Sequence, residues 1–332
     1  MLLEIENDLV EDTFRKYEAY VMSNSQVNLA RWKHVKSKDN LHIYAKKTTK
    51  ALRYSPQCCQ PTIDECAGGV KPVVLSVGTL KGQLDDLMFG TVNPTTDIMH
   101  IKASYVRDYS DGAVLATLVS PTASEPFRSV TVKWFQIDLP LSRTGLLHDR
   151  DFICLEASGI LHFANGERVG YMMLHSIESP KTQPLPNIIR AKHNCTGFFR
   201  VGGATGVCQR ATVGYELRGV WTHEEVDVDA AAPTSGGQHT ARTPHQNFCV
   251  TCNRDLQSGR AKRFGKASCK LCLGGLCFGC KVVKSISFLS PDSKLLRHKI
   301  AFCMTCVNYS NCMSAMDAAS DQAAGFQAYN AF

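Results

Sequence analysis

Four Cys-x-x-Cys knuckles stand in order along one stretch of the chain: Cys249/Cys252, Cys269/Cys272, Cys277/Cys280 and Cys303/Cys306. Two thiolates three positions apart in a tight turn can both reach one ion at about 2.3 Å, so eight thiolates make two closed four-sulfur sites. Disulfide scaffolds are the rival use of cysteine, but they are small secreted domains that lack a core. This chain has 332 residues, 44% of them hydrophobic and 20% charged, which is enough to bury a sizeable core. Its first residues, MLLEIENDLVEDTF, place acids where an export signal carries bases, and no apolar run reaches the roughly 18 residues of a membrane span. The expectation is a soluble, intracellular, metal-binding protein.

All-sulfur tetrahedral coordination favours two Zn²⁺, with iron–sulfur as the rival that spacing alone does not remove. A closed site leaves no position for a reactive water, so zinc hydrolysis is disfavoured and the metals serve folding. The segment CKLCLGGLCFGC, residues 269–280, supplies half the ligands, with Gly274 and Gly275 turning the backbone between knuckles. Sequential pairing of the knuckles and interleaved pairing both satisfy this chemistry.

Charge is concentrated in the same segment. From Cys249 to Cys306 there are 11 Lys and Arg against two acids, Asp255 and Asp292, so the whole formal charge of +7 originates there. Such asymmetry points to an anionic partner, lipid headgroups or nucleic acid. Its aromatics are phenylalanines placed mostly beside cysteines, which leaves little for base stacking and disfavours nucleic acid.

Upstream, residues 1–26 contain a predicted amphipathic helix, with Leu3, Val10, Phe14, Tyr17 and Val21 at helical spacing. From residue 27 to 221 the chain reads as short β-rich runs: PVVLSVGTLKG, GAVLATLVSP, and SVTVKWFQIDLP with Val130, Val132 and Trp134 on one face. QLDDLMFGTV predicts a short helix, and Asn165-Gly166 between apolar runs predicts a hairpin. Residues 222–247 read as a linker, 248–312 as the cysteine module and 313–332 as an Ala-rich tail. His175 and His193 are read as sheet residues without a catalytic partner, and Cys58, Cys59 and Cys66 as free thiols of a polar loop.

The knuckle order C-x2-C-x16-C-x2-C-x4-C-x2-C-x22-C-x2-C resembles a FYVE-type zinc finger. That resemblance implies a cross-brace, one zinc on Cys249, Cys252, Cys277 and Cys280 and the other on Cys269, Cys272, Cys303 and Cys306. A RING finger, also cross-braced, places a histidine among its ligands, which this chain does not. FYVE domains that read phosphatidylinositol 3-phosphate carry Arg-Arg/Lys-His-His-Cys-Arg around the third cysteine. Here the run is Gly265-Lys266-Ala267-Ser268-Cys269-Lys270, without the histidines. Lys266 and Lys270, with Arg263, are the candidates for an anionic membrane surface.

Residues Trp32-Lys33-His34-Val35, Leu41-His42-Ile43-Tyr44, PVVLSVGTLKGQLDDLMFGTVNP and Arg150-Asp151-Phe152-Ile153-Cys154-Leu155-Glu156 resemble a START domain. The resemblance implies an α+β helix-grip fold, a curved antiparallel sheet enclosing a lipid, with Val130, Val132 and Trp134 on the cavity side. It departs at the end, because residues 200–247 are poor material for the closing helix and the N-terminal helix is the obvious substitute. The expected function is a non-enzymatic lipid-binding or membrane-associated adaptor, cytoplasmic and peripheral on endomembranes. A zinc module for protein or nucleic-acid partners, scaffolded by the larger domain, is the alternative.

Overall fold

The computed structural model describes residues 1–47, 73–105, 111–137, 148–179, 182–183, 185–202, 207–215, 247–257, 267–290, 292 and 294–329, with only the backbone given at 81, 202, 207–215 and 326–329. The chain divides into two compact units. The first comprises Met1–Pro94, Asp108–Pro121 and Phe127–Thr222, and the second Thr95–Arg107, Thr122–Pro126 and His223–Phe332.

In the first unit the helix α1 (Leu2–Met22) is followed by β1 (Trp32–Lys38), β2 (Leu41–Lys46), β3 (Val73–Lys81) and a short helix α2 (Leu84–Thr91). Seven more strands complete it: β4 (Asp111–Val119), β5 (Ser129–Ile137), β6 (Arg150–His162), β7 (Arg168–Ser176), β8 (Ile189–Arg190), β9 (Asn194–Gly202) and β10 (Val207–Tyr215). The sheet runs β1-β2-β3-β10-β9-β7-β6-β5-β4, every neighbour antiparallel, with β8 added parallel to β6. The fold is therefore α+β with one curved antiparallel sheet. Asn165-Gly166 sits at the β6–β7 turn, where the Asn165 side chain accepts from the Glu167 N–H at 2.9 Å and Gly166 takes φ 82°.

Period-two alternation gives the sheet two different faces. Val130, Val132, Ile153, Leu155, Ala157, Val169, Tyr171, Met173 and Phe198 point to one side, where Val10 and Tyr17 of α1 complete a buried cluster. Phe14 and Tyr17 meet the sheet through stacked rings, Phe14 on Phe163 at 5.5 Å and Tyr17 on Phe198 at 4.9 Å. Alternation places Gly170 on the other side, beneath α2: a Cβ there would lie 2.5 Å from Met88 Sδ and 3.0 Å from Leu84. Helix and strand approach that closely because the position has no side chain. Lys133 is buried on this side too, paired with Glu156.

A buried ionic group fastens α1. Glu6, 1% exposed, receives Arg128 Nη2 at 3.0 Å and Nη1 at 3.2 Å, and the Tyr171 hydroxyl at 3.2 Å. Farther along the same face, Asp151 is fully buried and accepts from Arg190 at 2.8 and 2.9 Å and from the Trp134 indole at 2.9 Å. Burial raises its pKa, but those donors outweigh it and hold the carboxyl below its ordinary range.

The second unit contains α3 (Thr96–Ala103), two small hairpins, β11 (Ala267–Ser268) with β12 (Gly275–Leu276) and β13 (Lys281–Leu289) with β14 (Leu295–Cys303), then α4 (Met304–Asn311) and α5 (Ala315–Tyr329). The Tyr105 hydroxyl, just after α3, accepts from the Ser287 N–H at 2.9 Å, and the Arg297 guanidinium lies over its ring at 5.3 Å. α5 spans most of the Ala-rich tail and buries Ala319 and Ala323. Residues 216–246, holding most of the expected linker, lie outside the described residues, as do Cys58, Cys59 and Cys66.

Candidate metal centres

The second unit has little apolar core of its own around the cysteines, and what it has is built from them. Leu256 packs with Cys249 and Cys277, and Leu276 with Cys269 and Cys303. Each of the first two knuckles is a tight turn closed by a backbone bond to its first cysteine: Asn253 N–H to the Cys249 carbonyl at 2.8 Å, and Leu273 N–H to the Cys269 carbonyl at 2.9 Å. Both closing residues adopt left-handed backbone, φ 55° at Asn253 and 59° at Leu273.

Backbone hydrogen bonds then decide which knuckles meet. The Val250 N–H donates to the Gly275 carbonyl at 2.9 Å, which draws the first knuckle to the strand that leads into the third. The Lys270 N–H donates to the Ala301 carbonyl at 3.1 Å, which draws the second to the strand that leads into the fourth. The outcome is two tetrads, Cys249, Cys252, Cys277 and Cys280 in one and Cys269, Cys272, Cys303 and Cys306 in the other, the sulfurs of each within 4.8 Å of one another. Cys252 and Cys277 sulfurs are 3.7 Å apart and Cys272 and Cys303 sulfurs 3.8 Å. Bonded sulfurs would be about 2.05 Å apart, whereas the edge of a tetrahedron with bonds of about 2.3 Å is near 3.8 Å. The spacing fits a shared ion, and all eight cysteines are free thiols.

The protonation pattern fits a cation as well. Burial raises the Cys249 thiol, but backbone N–H groups of Cys277, Cys252 and Thr251 outweigh it and bring it down to about 6. Cys269, similarly buried and similarly held by the N–H groups of Cys272, Cys303 and Leu271, falls to about 7. Their neighbours move the opposite way: the Cys277 and Cys252 thiols push Cys280 up to about 12, and burial together with Cys303 raises Cys306. Cys249 and Cys269 form thiolates readily, whereas Cys280 and Cys306 need a positive charge at the centre to follow. A soft four-thiolate set of this size fits a metal ion whose contribution is to hold the fold, with all protein ligands in place.

No protein-family model matches the chain, and no curated protein matches it in sequence. Solved structures of similar fold are START-related lipid transfer domains. One is human StAR-related lipid transfer protein 5, at 13% identity over 61% of this chain and 80% of that chain, TM-score 0.38. A second is the human StarD13 lipid transfer and protein localization domain, at 14% identity over 64% of this chain and 84% of that one, TM-score 0.38. A third, the STAR-related lipid transfer protein from Xanthomonas axonopodis, shares 12% identity over 57% and 84% of the two chains, TM-score 0.36. At such TM-scores the likeness is distant and transfers no residue assignment.

Of the residues assigned to an anionic surface, Lys270 is exposed on the second knuckle, while Arg263 and Lys266 lie outside the described residues. Val130, Val132 and Trp134, assigned to a cavity wall, do share one face of β5, and that face is filled by α1: Val130 is 0% exposed, and Trp134 packs against the cluster while donating to Asp151. Residues 207–215, within the stretch read as poor helix material, form strand β10 between β3 and β9. His175 and His193 are held neutral by burial, which lowers both pKa values. Sequence reading passed over the Glu6–Arg128 and Lys133–Glu156 pairs, because the partners are 122 and 23 residues apart and nothing local links them. Among the described residues no helix is long and apolar enough to cross a membrane.

Proposed function

We propose that this chain is a non-enzymatic, membrane-associated adaptor, in which a START-like sheet unit is joined to a FYVE-like finger held by two zinc ions. The observation that carries the reading is the pair of complete cysteine tetrads within a strongly basic segment. Four thiolates per ion leave no coordination position for a substrate or a reactive water, so the finger acts through its surface. That surface is cationic, and a membrane carrying anionic lipid is the complementary partner. Zinc is favoured because its coordination is tetrahedral and tolerant of four thiolates, and because the ligands themselves form the small core around each site.

Attachment of this kind is electrostatic and not selective for one phosphoinositide, since the histidines of the family's headgroup signature are replaced at Ala267 and Ser268. Binding to phosphatidylserine-containing vesicles should therefore be strong at low salt and weaken as the screening length falls below about 8 Å. Vesicles of phosphatidylcholine alone should bind poorly. Salt-resistant preference for phosphatidylinositol 3-phosphate, or absence of zinc from the purified protein, would overturn the reading. For the sheet unit the expectation is weak retention of lipid on the Val130 face, since a ligand there would have to displace α1.

A further inference from the structure

On the hairpin β1–β2 two histidines converge away from any packed region. A regular strand would put His34 and Ser37 on opposite faces, because they are an odd number of positions apart. The register slips between His34 and Lys36, however, and the extra residue, Val35, stands 59% exposed. That bulge resets the alternation, so His34, opposite Tyr44, and Ser37, opposite His42, come to share one face. There the Ser37 hydroxyl lies 2.7 Å from His34 Nε2 and 2.7 Å from His42 Nδ1. Two ring nitrogens from different strands thus aim at one point. The two imidazole centroids are 6.3 Å apart, and the Tyr44 ring meets His34 edge-on at 5.3 Å. Packing does not account for the arrangement, since β1 buries none of its side chains and both histidines are exposed. Hydrogen bonds open to water return little net stability. Bulges recur beside sites, where they re-aim a side chain.

We propose that His34 and His42 form a two-imidazole site for a divalent transition-metal ion of the zinc class, the ion taking the place of the Ser37 hydroxyl between them. Neutral imidazole is the side chain that such ions most commonly bind. Ligation needs a lone pair on His34 Nε2 and on His42 Nδ1. The bridging hydroxyl donates to one of these nitrogens and accepts from the other, so moving one proton to the far nitrogen of its ring completes the pair. Bonds of about 2.1 Å to a shared ion ask the two rings to close by about 1 Å, a small rotation for exposed side chains. Charge does not oppose the ion: Lys33, Lys36 and Lys38 lie on the other face with Ala45, Ile43 and Leu41, and Lys46 stands opposite Trp32 at the far end of the hairpin. Two protein ligands leave the remaining positions to water, so this ion exchanges, unlike one held by a closed tetrad. When bound it ties β1, the strand at the edge of the sheet, to β2.

Equilibrium dialysis of the full chain against excess zinc, with bound ion counted, tests this. Wild type should take up about one ion more than His34→Gln or His42→Gln. His162→Gln, at an exposed histidine elsewhere on the sheet, should match wild type. Because the readout is a difference between chains, it does not depend on what the cysteine tetrads hold. Ser37→Ala removes the hydroxyl that the ion displaces and should keep the extra ion. In proton NMR the imidazole signals of His34 and His42 should move together as zinc is added, while those of His175 and His193 stay in place. Equal uptake by wild type, His34→Gln and His42→Gln would overturn the proposal. So would loss of the ion in only one of those two variants, which would mean a lone histidine, or its loss in Ser37→Ala, which would mean that the imidazole pair does not suffice.

Discussion

Single residues in this protein matter most where charge is buried. Glu6 is enclosed between α1 and the sheet, where Arg128 and Tyr171 donate to its carboxylate. Removing only the guanidinium leaves a carboxylate in an apolar setting, which is costlier than having no pair at all. Arg128→Leu should lower stability by about 3 kcal/mol or more, and the double variant Glu6→Leu with Arg128→Leu should recover most of that loss in denaturant titrations. Equal losses in the two would mean that Glu6 is not acting as an uncompensated charge. A second residue-scale effect concerns His193, whose pKa burial lowers, as it does that of His175. Below about pH 6.5 the unfolded chain takes up protons that the folded chain refuses until lower pH, so stability must fall as pH falls through that window. His193→Gln should show a shallower fall between about pH 7 and about pH 5.5, measured as unfolding midpoint against pH. Identical slopes would remove His193 from the account.

Among the elements, α1 has the clearest task. Its apolar positions recur every three or four residues, and the structure lays that stripe over the Val130 face of the sheet. Tyr17, 3% exposed and stacked on Phe198, is the anchor. Tyr17→Ala should cost about 3 kcal/mol, the usual scale for truncating a buried aromatic side chain, read from the shift in midpoint at constant slope. Deleting residues 1–25 should uncover Val130, Val132 and Phe198 and produce strong binding of the dye ANS, which the full chain should lack on that face. A deleted chain that stays soluble, cooperative and dye-silent would show that the helix is dispensable. Elements with strong local patterns were legible: β3, β4, β5, α2 and the β6–β7 hairpin lie on the runs that alternation and Asn165-Gly166 mark out. α3, the β13–β14 hairpin and α4 were not, because their apolar residues follow no clean period. The seven-residue β1 buries none of its side chains.

At the scale of the whole molecule, two units are stabilised by different means. The sheet unit rests on burial of apolar surface, whereas in the second unit the buried groups around the knuckles are Cys249, Cys269, Cys277 and Cys303 with Leu256 and Leu276. Elemental analysis should return about two zinc ions per chain, and Cys277→Ser should return about one. Chelation should unfold the finger while the circular dichroism and tryptophan emission of the sheet unit remain. Simultaneous loss of both units on chelation, or an iron–sulfur absorbance in place of zinc, would contradict this division.

The sequence by itself determined that the chain carries eight soft ligands in four knuckles, a set that could hold two metal ions. It also determined the antiparallel, strand-rich character of the larger unit, since period-two alternation is a local property. Spacing did not decide which knuckles share an ion. Two backbone hydrogen bonds accompany the pairing, each from a knuckle turn to a strand, Val250 to Gly275 and Lys270 to Ala301, 25 and 31 residues apart in sequence. Nor could the sequence reveal that α1 would cover one sheet face through a buried Glu6–Arg128 pair, or that Leu273 would be held exposed in a left-handed turn. Composition and period are carried by neighbours along the chain, whereas pairing, burial and backbone strain are created only when distant segments close on one another.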